Sequence, residues 1–138
     1  MNCELIFYTA RKTSFCERSL QKSFSELDLT LKNVFFAHGS MQLGELLNEA
    51  FQRTDIVFII GNLGLYDDRS VEAVLSRAMS SVALDEYRKV KNDLGDDGYV
   101  FRLENQLLIV LPDEPQQIEV IMQGPLGGYV KKRNIARV

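Results

Sequence analysis

The sequence predicts an α/β fold, a three-layer α/β/α sandwich with a mostly parallel sheet and a C-terminal hairpin. The first observation is the run "IVFII", whose lack of polar alternation is typical of a parallel strand covered on both faces. The second is that apolar residues on either side of this run recur at helical spacing, so that strands and helices alternate along the chain. Helices are therefore expected on both faces of the sheet.

The first half of the chain reads as strand, helix, strand, helix. "CELIFYT" is a short apolar run that predicts a strand, and the apolar residues between Phe15 and Leu27 recur at roughly helical spacing. "LTLKNVFFAHG" predicts a second strand, which Gly39 ends. The clearest helix runs from Leu43 to Phe51, where one apolar stripe faces the sheet.

The second half begins with "IVFII", the expected central strand, followed by a turn and a helix from Val71 to Met79. "LDEYRKVKNDLGDDG" is expected to begin as an exposed helix and to end in a Gly-Asp loop. "YVFRLENQLLIVLP" predicts a hairpin around "ENQ", and "PDEPQQIEVIMQ" predicts a last helix with prolines near its first turn. The remaining tail is Gly-rich and then basic.

Length and composition narrow the class of protein. A chain of 138 residues is about one domain, and we expect residues 1–138 to form a single one. With 46% hydrophobic residues and a net charge of -3, the chain is neither disordered in character nor suited to the phosphate backbone of nucleic acids. No apolar run approaches the roughly 18 residues of a bilayer span. We therefore expect a cytoplasmic protein that binds neither nucleic acid nor a membrane.

Isolated reactive residues give no site by themselves. Cys3 and Cys16 are expected to be buried thiols, because neither has a second cysteine or a histidine at metal-ligand spacing. His38 is the only histidine, and no motif pairs it with a nucleophile. Lys131 and Lys132 belong to a terminal charge run, which is usually a solvated face.

The turn "GNLGLYDD" after the central strand is the best candidate site. It lies at the carboxyl end of a parallel strand, where open α/β sheets bind their ligands. Gly61 and Gly64 would bring backbone amides close to an anionic group, and the next helix adds its dipole. Asp68 is interpreted as a helix N-cap, or Asp67 and Asp68 together bind a hydroxyl, an amine or Mg²⁺.

Two stretches carry a resemblance to a known family. "TDIVFIIGNLGLYDDRSVEAV" resembles the segment "DLVI-TGGLG-x-T-x-DD-x-T-x-EA" of the molybdopterin-binding (MoCF, MogA/MoaB-like) domain, most closely the N-terminal domain of CinA-type proteins. "GYVFRLENQLLIVLPDEPQQIEVIM" is similar to the family's "G-F-x-x-E-N-x-K-x-I-x-x-LPG-x-P-x-E-M". The resemblance implies the family's fold.

The resemblance also implies site residues and ligands. The family's Gly-Gly-x-Gly turn corresponds to Gly61, Asn62, Leu63 and Gly64. Its functional aspartate corresponds to Asp68, and Pro112 marks its Leu-Pro turn. In the family these surfaces hold a pterin with its phosphate, or in CinA-type domains a nucleotide whose pyrophosphate is cleaved with a divalent metal.

The chain departs from the family's pattern at several of these positions. Asn62 replaces a glycine where a ligand approaches the backbone, and Asp113 replaces the glycine of Leu-Pro-Gly. "HGSMQ" lacks the acid expected after the second strand, and "TARK" replaces Gly-Thr-Glu after the first. Arg11 and Lys12 could supply positive charge at the same rim. These departures predict a degenerate site that disfavours an anionic ligand.

Our leading hypothesis is a small-ligand-binding module for a pterin-like or nucleotide-like ligand. Its site consists of the Gly61 to Gly64 turn, Asp67, Asp68, Pro112 and Asp113, and we expect binding rather than catalysis. One alternative is a divalent-metal pyrophosphohydrolase for ADP-ribose-like dinucleotides, with Asp67 and Asp68 holding Mg²⁺. Another is a pseudoenzyme that serves as an oligomerisation or protein-interaction scaffold. We also expect a homo-oligomer.

Overall fold

The computed structural model describes residues 1–61, 70–78, 86–103 and 105–136. In chain order the elements are β1 (Asn2–Tyr8), α1 (Thr13–Leu27), β2 (Thr30–Ala37), α2 (Ser40–Arg53), β3 (Ile56–Gly61), α3 (Val71–Ala78), β4 (Glu86–Val90), β5 (Gly98–Leu103), β6 (Gln106–Pro112), α4 (Pro115–Gln123) and α5 (Pro125–Ala136). Within these ranges, no helix combines the length and the apolar character needed to cross a membrane.

The strands form one mixed sheet in the order β2-β1-β3-β6-β5-β4. β2, β1, β3 and β6 run parallel, and β5 and β4 are antiparallel additions at one side. β3 is an interior strand between β1 and β6, and every residue from Ile56 to Gly61 is buried. The prediction of "IVFII" as a central parallel strand is therefore confirmed.

Helices cover both faces of this sheet. α1, α4 and α5 contact one another on one face, and α2 contacts α3 on the other. Alternate strand residues divide between the two cores, because successive side chains point to opposite faces: Phe7 and Phe58 lie in the core with α1, and Tyr8 and Ile59 in the core with α2. The chain has the predicted three-layer α/β/α architecture, and β5 and β6 form the predicted hairpin.

Two elements differ from the predictions. The stretch expected to begin as an exposed helix contains the strand β4, because its pairing with β5 outweighs the helix propensity of its charged residues. α4 is not the last helix, since α5 follows it and buries Leu126 and Val130, four residues apart, in the core. A Cβ atom at Gly127 would collide with the Met122 carbonyl oxygen, so this glycine permits the close turn between the two helices.

A buried carboxylate joins β1 to the end of α2. The Glu4 side chain is 2% exposed and accepts hydrogen bonds from Arg53 Nη2 at 2.7 Å and Arg53 Nε at 2.9 Å. The Asn33 amide donates a longer bond of 3.4 Å to the same carboxylate. The hydrogen bonding between Arg53 and Glu4 raises the pKa of the Arg53 guanidinium. The pair compensates a charge that would otherwise be costly to bury.

Both cysteines are free and buried, as the sequence predicts. Burial, with a contribution from Glu4, raises the pKa of Cys3 to about 12. Burial, followed by the charge and hydrogen bond of Asp113, raises the pKa of Cys16 to about 12. Both thiols are therefore protonated at neutral pH.

Replacing Arg53 by methionine should lower the free energy of unfolding by more than the loss of an exposed ion pair does, because it leaves the Glu4 carboxylate buried without its partner. We place the loss below that of a fully buried pair because the Arg53 side chain is 41% exposed. Chemical denaturation measures the change. The control is Lys22→Met, which breaks the exposed Lys22–Glu119 pair at 3.6 Å and should cost under about 0.5 kcal/mol. Equal losses in the two variants would contradict the role given to Glu4.

The thiols should make stability fall at alkaline pH. Their folded pKa of about 12 lies above the ordinary value of 9.0, so their contribution is fully present below pH 9.0 and is lost as pH rises toward 12. Denaturation at about pH 8 and about pH 10 should show a smaller fall for the Cys3→Ala, Cys16→Ala double variant, by about 2 kcal/mol. An identical fall in both proteins would show that other groups cause it.

Candidate functional site

A cleft opens where three parallel strands end side by side. Tyr8 of β1 is in register with Gly61 of β3, and Gly61 with Pro112 of β6. β2 and β3 lie on opposite sides of β1, so the chain changes direction across the sheet at this point, where open α/β sheets bind ligands. The cleft has a volume of about 390 Å³. Among the described residues, its lining consists of Thr9, Arg11, Gly61, Gly95, Asp96, Pro112, Asp113, Glu114 and Gln117.

Gly61 lies in this cleft because β1 and β3 approach closely at their ends. A Cβ atom at position 61 would stand 2.6 Å from the Tyr8 carbonyl oxygen, a backbone atom that cannot move aside cheaply. A side chain there would force the two strand ends apart. The glycine is therefore required by the packing of the strand ends, whatever the cleft binds.

The Asp113 carboxylate binds the backbone of the β1–α1 loop. Oδ2 accepts a hydrogen bond from the Arg11 backbone N–H at 2.6 Å, and Oδ1 accepts one from the Lys12 N–H at 3.1 Å. α1 begins at Thr13, and its N-cap residue Lys12 provides no side-chain cap. A carboxylate of the protein itself thus accepts hydrogen bonds from amides at a helix N-terminus, and helix N-termini are places where anions bind.

The Cys16 thiol is a third donor to the Asp113 carboxylate. Cys16 Sγ lies 3.5 Å from Asp113 Oδ1 and donates to it, since the raised pKa keeps the thiol protonated. A protonated, buried thiol is a poor nucleophile. Cys16 therefore supports the Asp113 carboxylate and is not a candidate for covalent chemistry.

Of the two cations expected at the rim, one is already paired with a carboxylate of the cleft lining. Lys12 Nζ forms an ion pair with Glu114 at 2.7 Å, which raises the pKa of the Lys12 amine. Arg11 lines the cleft together with the carboxylates of Asp96, Asp113 and Glu114. The described lining therefore carries more negative than positive charge.

The β4–β5 loop forms another part of the cleft lining, and Asn92 holds this loop in place. Asn92 is 7% exposed, and its N–H donates to Asp97 Oδ1 at 2.9 Å. Its side-chain amide donates to Gln117 Oε1 at 2.7 Å, and Gln117 Nε2 donates to the Leu94 carbonyl at 3.3 Å. Because Gln117 lies on α4, these bonds fix the loop against the body of the protein.

This loop presents Gly95 and Asp96 to the cleft. The Asp96 side chain is exposed, and within the described part of the chain its carboxylate has neither a hydrogen bond nor an ion pair. A carboxylate offers two acceptor oxygens. Asp96 is therefore an open acceptor on a fixed loop.

Thr9 adds a strained backbone at the end of β1. Its φ is 49°, in the left-handed region that a β-branched residue rarely occupies. The Thr9 N–H donates to the Ala37 carbonyl at 3.3 Å, which ties the end of β1 to the end of β2. Such strain costs on the order of 1–3 kcal/mol and clusters at functional sites.

The structure brings Gly61, Pro112 and Asp113 of the predicted site together in the cleft. Asn62, Leu63, Gly64, Asp67 and Asp68 lie outside the described residues. The N-cap of α3 is Ser70, whose Oγ accepts a hydrogen bond from the Ala73 N–H at 3.1 Å. The sequence interpretation assigned this cap to Asp68.

Sequence reasoning missed Thr9, Gly95, Asp96 and Gln117. The "GDDG" stretch was visible as a loop, but nothing in the sequence indicates that it returns to the end of β3. Among the described residues, no three His, Cys, Asp or Glu side chains are grouped so that they could hold a metal ion.

Comparison with known proteins gives structural matches only. No protein-family model matches the chain, and no curated protein matches it. The structure of CinA from Thermoplasma acidophilum, described as a protein of unknown function, matches with a TM-score of 0.74 and 16% identity, covering 94% of this chain and 97% of that one. The molybdopterin biosynthesis enzyme MoaB from Thermus thermophilus matches with a TM-score of 0.68 and 11% identity, covering 96% and 95%.

A molybdopterin biosynthesis protein from Mycobacterium abscessus matches with a TM-score of 0.72 and 11% identity over 98% of this chain and 95% of that one. These matches extend over nearly the whole length of both partners. Because the sequence identities are low, these matches show the fold of the backbone and do not identify a ligand. The chain has the MogA/MoaB-like fold of the molybdopterin biosynthesis proteins and CinA.

Proposed function

We propose that the protein is a small-ligand-binding module whose cleft takes the ring system of a pterin-like or nucleotide-like ligand. The observation that carries this proposal is that two carboxylates of the cleft differ in their hydrogen bonding. Asp113 is bound to the amides of Arg11 and Lys12, whereas Asp96 faces the same cleft as an open acceptor. The site is degenerate toward phosphate and retains a means of binding a heterocycle.

The open carboxylate suits a particular ring edge. Pterin and guanine rings carry a ring N–H beside an exocyclic amino group, and two adjacent donors pair well with the two oxygens of a carboxylate. Asp96 offers such a pair of oxygens on a loop that Asn92 and Gln117 hold still. A fixed acceptor loses little entropy on binding.

The same cleft disfavours a phosphate chain. The two amides at the start of α1 already donate hydrogen bonds to the Asp113 carboxylate. Glu114 is paired with Lys12, but Asp96 and Asp113 still outnumber Arg11 in the described lining, and like charges repel more strongly where water is excluded. A neutral heterocycle therefore fits this lining better than a pyrophosphate.

The structural matches support the class of ligand. Two of the matched proteins are described as acting in molybdopterin biosynthesis, and molybdopterin contains a pterin ring. The CinA structure is described without a function and adds no ligand. Fold alone does not fix function, so the choice depends on the Asp96 test.

Asp96→Asn should weaken binding of hydroxymethylpterin and guanosine by about tenfold, because an amide replaces one acceptor oxygen with a donor. Isothermal titration calorimetry measures the affinities, and the melting temperature should stay unchanged since the side chain has no described partner. The matched control is Asp93→Asn on the same loop, which removes an equal charge from a residue that pairs with Lys91 at 3.5 Å. No binding by the parent protein, or equal weakening in the two variants, would contradict the proposal.

Asp113→Gly should create binding of inorganic phosphate that the parent protein lacks, because it exposes the Arg11 and Lys12 amides. The melting temperature without phosphate should fall, since two amides lose their acceptor. Added phosphate should then raise the melting temperature of this variant alone.

The control for Asp113→Gly is Glu114→Gln, which removes the same charge from the neighbouring residue while leaving the amides bound. Its Lys12 partner is exposed, so its stability should change little. If Glu114→Gln gains phosphate binding to the same extent, the effect is one of net charge and the amide cradle plays no part.

A further inference from the structure

Arg11 lines the cleft with a guanidinium that lacks a partner in the described part of the chain. Its backbone N–H donates to Asp113, but its exposed side chain forms neither an ion pair nor a hydrogen bond with the described residues. The neighbouring Lys12 differs, because its amine is paired with Glu114 at 2.7 Å. The guanidinium donors of Arg11 are therefore available to a ligand.

The carboxylates that share the cleft with Arg11 differ in how far they are engaged. Both oxygens of Asp113 accept hydrogen bonds, from two backbone amides and from the Cys16 thiol. Glu114 is paired with Lys12. Among the charged side chains of the described lining, Arg11 and Asp96 are the two that remain without a partner.

The strand order places these two side chains on different sides of the cleft. Arg11 follows β1 and Asp96 precedes β5, and the ends of β3 and β6 lie between these strands. β5 begins beside the end of β6 because the two strands are antiparallel. Three strand spacings, or roughly 14 Å, separate β1 from β5. A flat ring placed over the strand ends would therefore meet Asp96 at one edge and Arg11 at another.

We propose that Arg11 is a second specificity-determining residue of the cleft, which donates two hydrogen bonds to the acceptor edge of the ring whose donor edge Asp96 binds. This inference rests on the proposed function. In guanine the acceptors of that edge are O6 and N7, and in pterin they are the ring carbonyl oxygen and the neighbouring N5. The planar fork of an arginine matches two adjacent acceptors of this kind.

Together the two residues would reject an adenine-like ring. At the edge where guanine presents O6 and N7, adenine presents an amino donor beside N7, so one half of the Arg11 fork would face a donor. Adenine also lacks the pair of adjacent donors that suits the Asp96 carboxylate. The cleft should therefore select rings that carry a carbonyl oxygen and an amino group in the arrangement of guanine and pterin.

The test compares guanosine with two analogues by isothermal titration calorimetry. 7-Deazaguanosine has a C–H in place of N7 and removes one acceptor from the Arg11 edge, whereas inosine lacks the amino group at the Asp96 edge. The parent protein should bind each analogue about fivefold more weakly than guanosine. Arg11→Met should bind guanosine about tenfold more weakly than the parent does, and should bind guanosine and 7-deazaguanosine equally.

Arg11→Lys tests the shape of the donor group, because lysine keeps the charge and lacks the planar fork. It should lose most of the guanosine affinity that Arg11→Met loses. Arg18→Met is the matched control, since Arg18 is an exposed arginine of α1 that lies over the Phe15 ring, outside the cleft lining. It should bind as the parent does. The melting temperature of Arg11→Met should stay unchanged, because its backbone N–H still donates to Asp113.

Full guanosine affinity in Arg11→Met or in Arg11→Lys would overturn the role given to the Arg11 fork, and so would an equal loss in Arg18→Met. If the parent discriminates against inosine through Asp96 but binds 7-deazaguanosine as well as guanosine, the proposed function stands and the inference about Arg11 fails. If the parent binds neither hydroxymethylpterin nor any of the three nucleosides, both fail.

Discussion

The carboxylate of Asp113 connects the last parallel strand to the first helix, and the geometry of the cleft depends on this contact. It lies just after β6 and holds the amides of Arg11 and Lys12, about a hundred residues earlier in the chain. Removing a carboxylate that accepts two backbone N–H groups would leave the start of α1 without a cap. The same residue thereby shapes the cleft and occupies the place of an anion in it.

This contact follows from the packing of the parallel strands. β1, β3 and β6 are buried on both faces, so their polar backbone can be satisfied only within the sheet, and ligands can approach only at the strand ends. Gly61 lets two of these ends meet, and Thr9 turns the chain out of the sheet with a left-handed φ. Packing therefore brings together residues that are far apart in sequence, and the loops at the strand ends supply the polar side chains of the cleft.

The sequence predicts the central layer well because its signal is local. "IVFII" must be covered on both sides, and the stripes that begin at Leu43 and at Val71 must face a sheet. β4 was predicted wrongly as a helix, because "EYRKV" is charged and becomes a strand only through its ladder with β5. Asp113 was identified as a departure from the family's glycine, but its amide partners depend on tertiary structure. Asp96 and Gln117 were missed for the same reason.

The β4–β5 hairpin contributes residues to two separate cavities. Its loop turns Asp96 toward an acidic cleft, while its strands turn Arg88 and Arg102 toward a second cavity beside α5. Asn92 stands between the two ends and, through Gln117, anchors the loop to α4. Because this anchor is buried and hydrogen-bonded, it fixes the loop beside the cleft, while the strands of the same hairpin line the second cavity.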